Sequence, residues 1–182
     1  MKTAQADLTT GPLGKQIFRF SIPLIFSNLL QVLFNMADVA VVGRFAGSTA
    51  LGAVGSTTIF VSLFTGFLIG LSGGVNVLVA HHFGADDQKN LSDTVHSAAL
   101  TCAAAGLVLL GIGCGFAGDI LRALNTKPEL MDGAVLYLRI YCLGMPALAV
   151  YNFGNAVFSA VGDTRRPLYY LSIAGVINVV LN

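Results

Sequence analysis

Apolar residues fall along this chain in long runs rather than in short alternations. The runs lie near residues 17–43, 51–80, 97–117, 134–160 and 167–182. A helix rises about 1.5 Å per residue and the hydrocarbon of a bilayer is roughly 30 Å thick, so about 20 such residues make one crossing. The pattern predicts an all-α membrane protein, a polytopic bundle of transmembrane helices with about five spans. The fifth run stops at Asn182 with no polar flank, which predicts a fragment of a longer protein, with four whole spans and most of a fifth. Polar segments separate the runs: a turn near 44–50, the loop 81–96, the loop 118–133, and the tight GDTRRP turn at 162–167. Gly84 is placed to end a helix, and Pro128 with Glu129 to start one. Pro23 lies one turn into the first run, where its missing N–H does little harm.

Inside the runs, polar residues are not scattered. At 100° per residue, Ser21, Asn28, Gln31, Asn35 and Asp38 share a stripe about 100° wide on the first helix. Tyr137, Tyr141, Asn152, Asn155 and Ser159 share a face of the fourth, and Asn178 and Asn182 lie one turn apart on the fifth. Asp38 is the acidic residue well inside an apolar run. A carboxylate at the bilayer centre costs roughly 2.5–3.5 kcal/mol on insertion scales, so such groups face a bundle interior or a wet cavity and mark ion paths. Taken singly, the amides and tyrosines would only tie helices together. Several aligned stripes predict one shared cavity, because unmatched amides in lipid are costly. The third run, rich in Ala, Gly and Leu, reads as packing material. Gly66, Gly70, Gly73 and Gly74 in the second read as a close-packing edge of the small-xxx-small kind.

Composition supports the membrane class. Hydrophobic residues make up 55% and charged residues 10% of 182, against roughly 25% charged in soluble domains, and mean hydropathy is +0.77. A formal net charge of +1 without a basic, aromatic-interleaved run gives no argument for nucleic acid. Cys102, Cys114 and Cys142 lie singly in apolar runs and read as packing residues rather than a metal or disulfide framework. His81 and His82 are adjacent and therefore about 100° apart on a helix, a poor geometry for shared ligation. Asp86, Asp87 and Asp93 lack a glycine-spaced calcium pattern and read as a solvated loop. No His lies deep in a run and Asp38 is alone, so a nucleophile with a base at matching depth is missing and an enzyme is not expected. Lys2, Lys15, Arg19, Lys89, Arg165 and Arg166 fall on one side of the predicted spans, Arg44, Arg122, Lys127 and Arg139 on the other. That bias predicts a cytoplasmic N-terminus.

Four segments together resemble the multidrug and toxic compound extrusion (MATE) family of cation-coupled efflux transporters. They are NMADVAVVGRFAG around Asp38, VAHHFGADD after the second run, YLRIYCLGMPALAVYNFGNAVFSAVGDTRRP, and the closing INVVLN. The resemblance covers about residues 10–182. It implies a fold of about twelve helices in two six-helix lobes, with residues 1–16 a cytoplasmic tail and 17–182 most of the N-lobe. It implies that Asp38 is the first-helix acid, whose protonation or sodium binding is linked to reshaping of the lobe. Asn178 would be its fifth-helix partner, with Tyr137 beside them. Tyr137, Asn152 and Asn155 match the polar face of the fourth helix. Asn182 departs from the pattern, since some members carry aspartate there, leaving one carboxylate where they have two. Asn28, Gln31, Asn35, Tyr141, Asn152 and Asn155 are then expected to line the substrate cavity, and Asp38, Asn178, Asn182 and Tyr137 to couple a cation.

The function expected is secondary active export of amphipathic or cationic drugs and toxins by antiport with H⁺ or Na⁺ across the plasma membrane. The expected partners are those small molecules, the bilayer and a C-terminal lobe of the same chain. No cofactor is expected besides the coupling ion, and no metal beyond a sodium ion at Asp38. A lipid-linked precursor flippase of similar architecture, or a membrane scaffold that transports nothing, are the alternatives.

Overall fold

A computed structural model describes residues 13–181; residues 1–12 of the N-terminal tail, and Asn182, lie outside the described residues. The elements are α1 (Leu13–Val41), a π-helical turn (Val42–Ala46), α2 (Gly47–Gly84), α3 (Gln88–Ala123), α4 (Pro128–Leu143), α5 (Met145–Ala160) and α6 (Arg165–Leu181). Among the described residues there is no strand. Phe20–Gly84 and Gln88–Ala123 are long and apolar enough to cross a membrane, and the bent pair α4–α5 makes a third such stretch. Phe20–Gly84 is a 65-residue helical path, about 100 Å long if it were straight. It is not straight, because residues near both of its ends, Leu24 and Ile69 among them, line one cavity. The chain reverses at the π turn, where Gly47 takes φ +82°, a conformation that a Cβ disfavours.

The helices outrun the apolar stretches that announced them. α1 begins at Leu13 rather than near 17, so Pro23 sits in its interior and not one turn in. The missing Pro23 N–H leaves the Arg19 carbonyl without its α-helical partner. The polar segment 81–96 is almost entirely helical, since α2 runs through His81 and His82 to Gly84 and α3 starts at Gln88. Likewise α3 continues to Ala123 and α4 starts at Pro128, reducing the loop expected at 118–133 to residues 124–127. Hydropathy marks where hydrocarbon ends; a helix continues into water as long as its caps and propensities allow. Asp87 supplies such a cap, its side chain accepting from the Asn90 N–H at 3.2 Å and from the Asn90 Nδ2 at 2.6 Å.

The fourth run divides in two. α4 and α5 meet at Gly144 with a 45° bend. Pro146 has no N–H for the Cys142 carbonyl, and the Gly144 N–H closes a tighter turn onto the Tyr141 carbonyl at 3.0 Å. α3 fits into the bend through two glycines. A Cβ on Gly106 would come within 2.8 Å of Pro146 Cα, and one on Gly113 would overlap the Cys142 sulfur.

Packing sorts the helices into a block and a pair. α2, α3, α4 and α5 pack on one another around Leu68, Leu121, Leu138, Cys142 and Met145, with a second cluster at Val79, Cys102 and Ala156. α1 packs chiefly on α6, where Gly175 receives the Phe34 ring so closely that a Cβ would overlap it. Lipid does not push helices together as water does, so small residues that bring backbones close supply the association energy. The tightest of these are Gly106, Gly113 and Gly175, with Gly133 close against Ala53 and Gly52 against Leu130. Gly66, Gly70, Gly73 and Gly74 have no such neighbour among the described residues: each faces open space within this chain, so the close-packing edge expected on α2 is not taken up here. Outward residues such as Phe18, Ile59, Val77, Leu100 and Leu107 are exposed, as lipid contact requires. Hydroxyls within the apolar helices bond back to their own turn, Thr65 to the Val61 carbonyl at 2.6 Å and Ser172 to that of Leu168 at 2.7 Å.

Two expectations follow. Gly113→Ala should overpack the bend and lower the unfolding temperature of the detergent-solubilised protein, consistent with a cost of about 1–3 kcal/mol, and Cys142→Ala should restore part of it. Gly66→Ala, with room around it, should be neutral or slightly stabilising; equal effects from the two glycines would disprove the close approach. At the start of α3, the Asn90 hydrogen bonds and then His82 hold the Asp87 carboxyl below its ordinary value of 3.8. A lowered folded pKa contributes stability that is present above the unfolded value and lost as pH falls through the folded one. Hydrogen-exchange protection of the Asn90 amide should therefore drop below about pH 4, and Asp87→Asn, which keeps the cap, should remove that pH dependence.

Candidate functional site

Between the block and the α1/α6 pair lies a cavity of about 460 Å³. α1 contributes Ser27, Asn28, Gln31, Asn35 and Asp38; α5 contributes Tyr151, Asn152 and Asn155; α6 contributes Asn178; Thr65 of α2 and Tyr141 of α4 complete the polar lining. Six carboxamides, two phenols, two hydroxyls and one carboxylate thus face one space. Apolar walls separate them, formed by Leu24, Phe34, Ile69, Leu148 and Leu171. No lysine or arginine is among these lining residues. Among the described lining residues the one acid is Asp38, and a carboxylate attracts a cation or a proton rather than an anion.

Helical periodicity explains how α1 delivers its share. Asn28, Gln31, Asn35 and Asp38 are spaced by three or four residues, so they stack along one face of α1 that lines the open cavity. There the three amides are exposed, while Ile25, Leu29, Val32, Leu33 and Met36 are exposed on the other side. Asp38 is half-buried, one turn before the π turn. On α5, Asn152 donates to the Leu148 carbonyl at 2.9 Å, spending one amide hydrogen at home and leaving its oxygen for the cavity. Tyr141 and Thr65 bring their oxygens to 3.5 Å of each other across α4 and α2.

Of the residues singled out in the sequence, Asp38, Asn178, Asn28, Gln31, Asn35, Tyr141, Asn152 and Asn155 come together on this cavity. Tyr137 is not in its lining. Tyr137 instead stacks on Tyr141, with ring centroids 6.2 Å apart, and stays within electrostatic reach of Asp38. Asn182 lies outside the described residues. Ser27, Thr65 and Tyr151 line the cavity without having been picked from the sequence. The angular position of Ser27, beside that of Asp38 on the α1 wheel, and of Tyr151, close to the α5 stripe, could have found those two. Thr65 shares a face of α2 with Thr58, Ser72 and Asn76, within about 20° of each on the wheel, and that weaker stripe could have found it.

A cleft of about 720 Å³ between α2 and α3 is larger, but it lies on the outside of the bundle and does not collect the polar stripes. Among the described residues no group of three or more His, Cys, Asp and Glu could hold a metal ion.

Comparison with known proteins agrees with this geometry. The MatE family model matches residues 23–182. The chain is 33% identical over 180 residues to the probable multidrug resistance protein YpnP of Bacillus subtilis, covering 96% of this chain and 39% of that protein. It is 31% identical over 186 residues to YoeA, a probable multidrug resistance protein of the same organism, covering 100% of this chain and 40% of YoeA. At 23% identity, covering 96% of this chain and 38% of the relative, it also matches an FAD transporter of Shewanella oneidensis. A crystal structure of MATE in the bent conformation superposes with a TM-score of 0.88 at 25% identity, covering 100% of this chain and 40% of that one. The chain therefore spans about two fifths of the length of the relatives it matches. With the family model covering all but its first residues, and the helical fold superposing along its whole length, this chain belongs to the MatE family.

Proposed function

We propose that this chain forms the ion-coupling lobe of a secondary active transporter that exports amphipathic or cationic drugs and toxins in exchange for H⁺ or Na⁺. The observation that carries the reading is the cavity at the seam, where one carboxylate and six carboxamides from α1, α5 and α6 face apolar walls. A volume near 460 Å³ suits a small molecule. The amides accept or donate hydrogen bonds, the aromatic and aliphatic walls take an apolar body, and Asp38 attracts positive charge.

The exchange works through Asp38. A bound proton or sodium ion neutralises it, changes which amides bond to it, and so alters what holds α1 and α6 against the α2–α5 block. Drug and ion then compete for one arrangement of the seam. Export requires the drug to prefer the inward arrangement and the ion the outward one, since a ligand shifts conformations only by its differential affinity. On this reading Asn178 and Tyr137 tune the carboxylate, Asn182 extends the α6 amide row, and a second lobe of the same protein closes the far wall and rocks against this one. The protein sits in the plasma membrane with its N-terminus in the cytoplasm. A flippase for a lipid-linked pyrophosphate calls for cations in the cavity; among the described residues that line it there is no lysine or arginine, which favours the export reading.

Two experiments test this. In the full-length protein freed of native cysteines, Asn35→Cys, Asn155→Cys and Asn178→Cys should react with a membrane-impermeant thiol reagent at similar rates, at least tenfold faster than Leu107→Cys on the lipid face; equal rates would mean the seam is dry. In vesicles, Asp38→Asn should abolish dye efflux driven by an imposed proton or sodium gradient, and the gradient that drives the native protein assigns the ion. Undiminished transport by Asp38→Asn would return Asp38 to a helix-end carboxylate, and retention of function with leucine throughout the stripes would favour a scaffold.

A further inference from the structure

The outer cleft between α2 and α3 serves none of the chemistry described so far. Leu71, Gly74, Val75, Leu78 and His82 form one wall, and Asn90, Asp93, Thr94, Ser97, Ala98 and Thr101 the other. Each wall covers three turns of helix, roughly 16 Å at 1.5 Å per residue, which is about half of a 30 Å hydrocarbon core and so the depth of one leaflet. The cleft is graded along that length. Its deep end has an apolar floor of Leu71, Val75 and Ala98, whose far sides pack on the Val79, Cys102 and Ala156 cluster. Its shallow end, where α2 and α3 leave the hydrocarbon for their connecting turn, carries the acid, the imidazole and the Asn90 amide. Gly74, Ser97 and Ala98 are small, which makes the groove deep enough to hold a chain rather than only to touch one.

Charge decides which head group fits. Among the described residues Asp93 makes no ion pair or hydrogen bond. The His82 ring is directed at Asp87, 4.0 Å away, and Lys89 does not line the cleft. With Asp86 and Asp87 in the adjoining turn outnumbering Lys89 on the α3 face one turn before Asp93, the mouth carries net negative charge and disfavours an anionic lipid. We propose that this cleft binds one acyl chain of a phospholipid whose head group ends in a primary ammonium, the ammonium resting on the Asp93 carboxylate and the phosphate oxygens accepting from Thr94, Ser97 and Asn90. The inference depends on the chain lying in a bilayer and is independent of what the seam cavity transports. Such a lipid joins α2 to α3 at the end next to their short connecting turn, residues 85–87.

Native mass spectrometry of the delipidated full-length protein, titrated with phosphatidylethanolamine, phosphatidylcholine and phosphatidylglycerol of identical chains, tests it. The first two differ only in methylation of the ammonium nitrogen. Phosphatidylethanolamine should bind about tenfold more tightly than either of the others. Asp93→Asn, an exposed position that should not affect folding, should level phosphatidylethanolamine and phosphatidylcholine. Ala98→Phe should fill the floor and remove both, with gradient-driven efflux from the seam cavity unchanged; if that variant fails to fold, the head-group comparison and Asp93→Asn decide alone. Equal binding of phosphatidylethanolamine and phosphatidylcholine, or tighter phosphatidylglycerol, overturns the proposal. So does a disulfide formed in native membranes between Ser97→Cys and a cysteine on another helix of the protein, since the cleft would then be covered by protein.

Discussion

Polar side chains inside hydrocarbon have no water to fall back on, and the arrangement of this chain follows from that. Each amide of Asn28, Gln31, Asn35, Asn152, Asn155 and Asn178 would be costly against lipid. Turned inward from α1, α5 and α6, they share one cavity with Asp38, where they can bond to one another, to water or to a ligand. The helices are rotated so that all the stripes point at the same seam. Once that is required, the outer faces of α1 and α6 must be apolar, as the exposed Phe26, Leu33, Ile173 and Val180 are.

The packing on either side of the seam is unequal, and that matters for movement. In the block, α3 is locked into the α4–α5 bend at Gly106 and Gly113, where any side chain larger than hydrogen would collide with Pro146 or Cys142. Asn76 of α2 adds a bond to the Ala156 carbonyl of α5 at 2.8 Å. The pair α1/α6 is held to the block by its ends: the π turn into α2, and the α5–α6 turn, where Thr164 donates to the Phe20 carbonyl at 3.5 Å. That bond lands beside Pro23, where α1 is already short of one backbone hydrogen bond. A lobe built this way can bend α1 without unpacking the block.

Much of the site was legible because two periodicities coincide. Helical spacing put Asn28, Gln31, Asn35 and Asp38 on one face of α1 before any coordinates, and the same spacing on α5 found Asn152 and Asn155. The 100° wheel also places Tyr137 beside Tyr141, and in the structure Tyr137 stacks on Tyr141 at the edge of the cavity, within electrostatic reach of Asp38. Gly66, Gly70, Gly73 and Gly74 show a different limit: a small-residue series says that a close approach is available, not that a partner within this chain takes it up. The glycines in contact, Gly106, Gly113 and Gly175, have no more distinctive a spacing.

The sequence by itself determined the medium, the helices and the identity of the groups that must avoid lipid, because each of these depends on composition and on neighbours three or four residues apart. It also determined kinship, through NMADVAVVGRFAG and the segments that accompany it. Only the tertiary structure decided which stripes meet and where the chain bends. It also decided that four helices form a block while two stand as a pair, and that helix continues through polar stretches such as 81–96. Those outcomes depend on contacts between residues far apart in the chain, Phe34 with Gly175 and Gly113 with Cys142, where a difference of one methyl group selects the neighbour. No local pattern encodes that choice, since in hydrocarbon the energy separating one helix partner from another is shape complementarity between two distant surfaces.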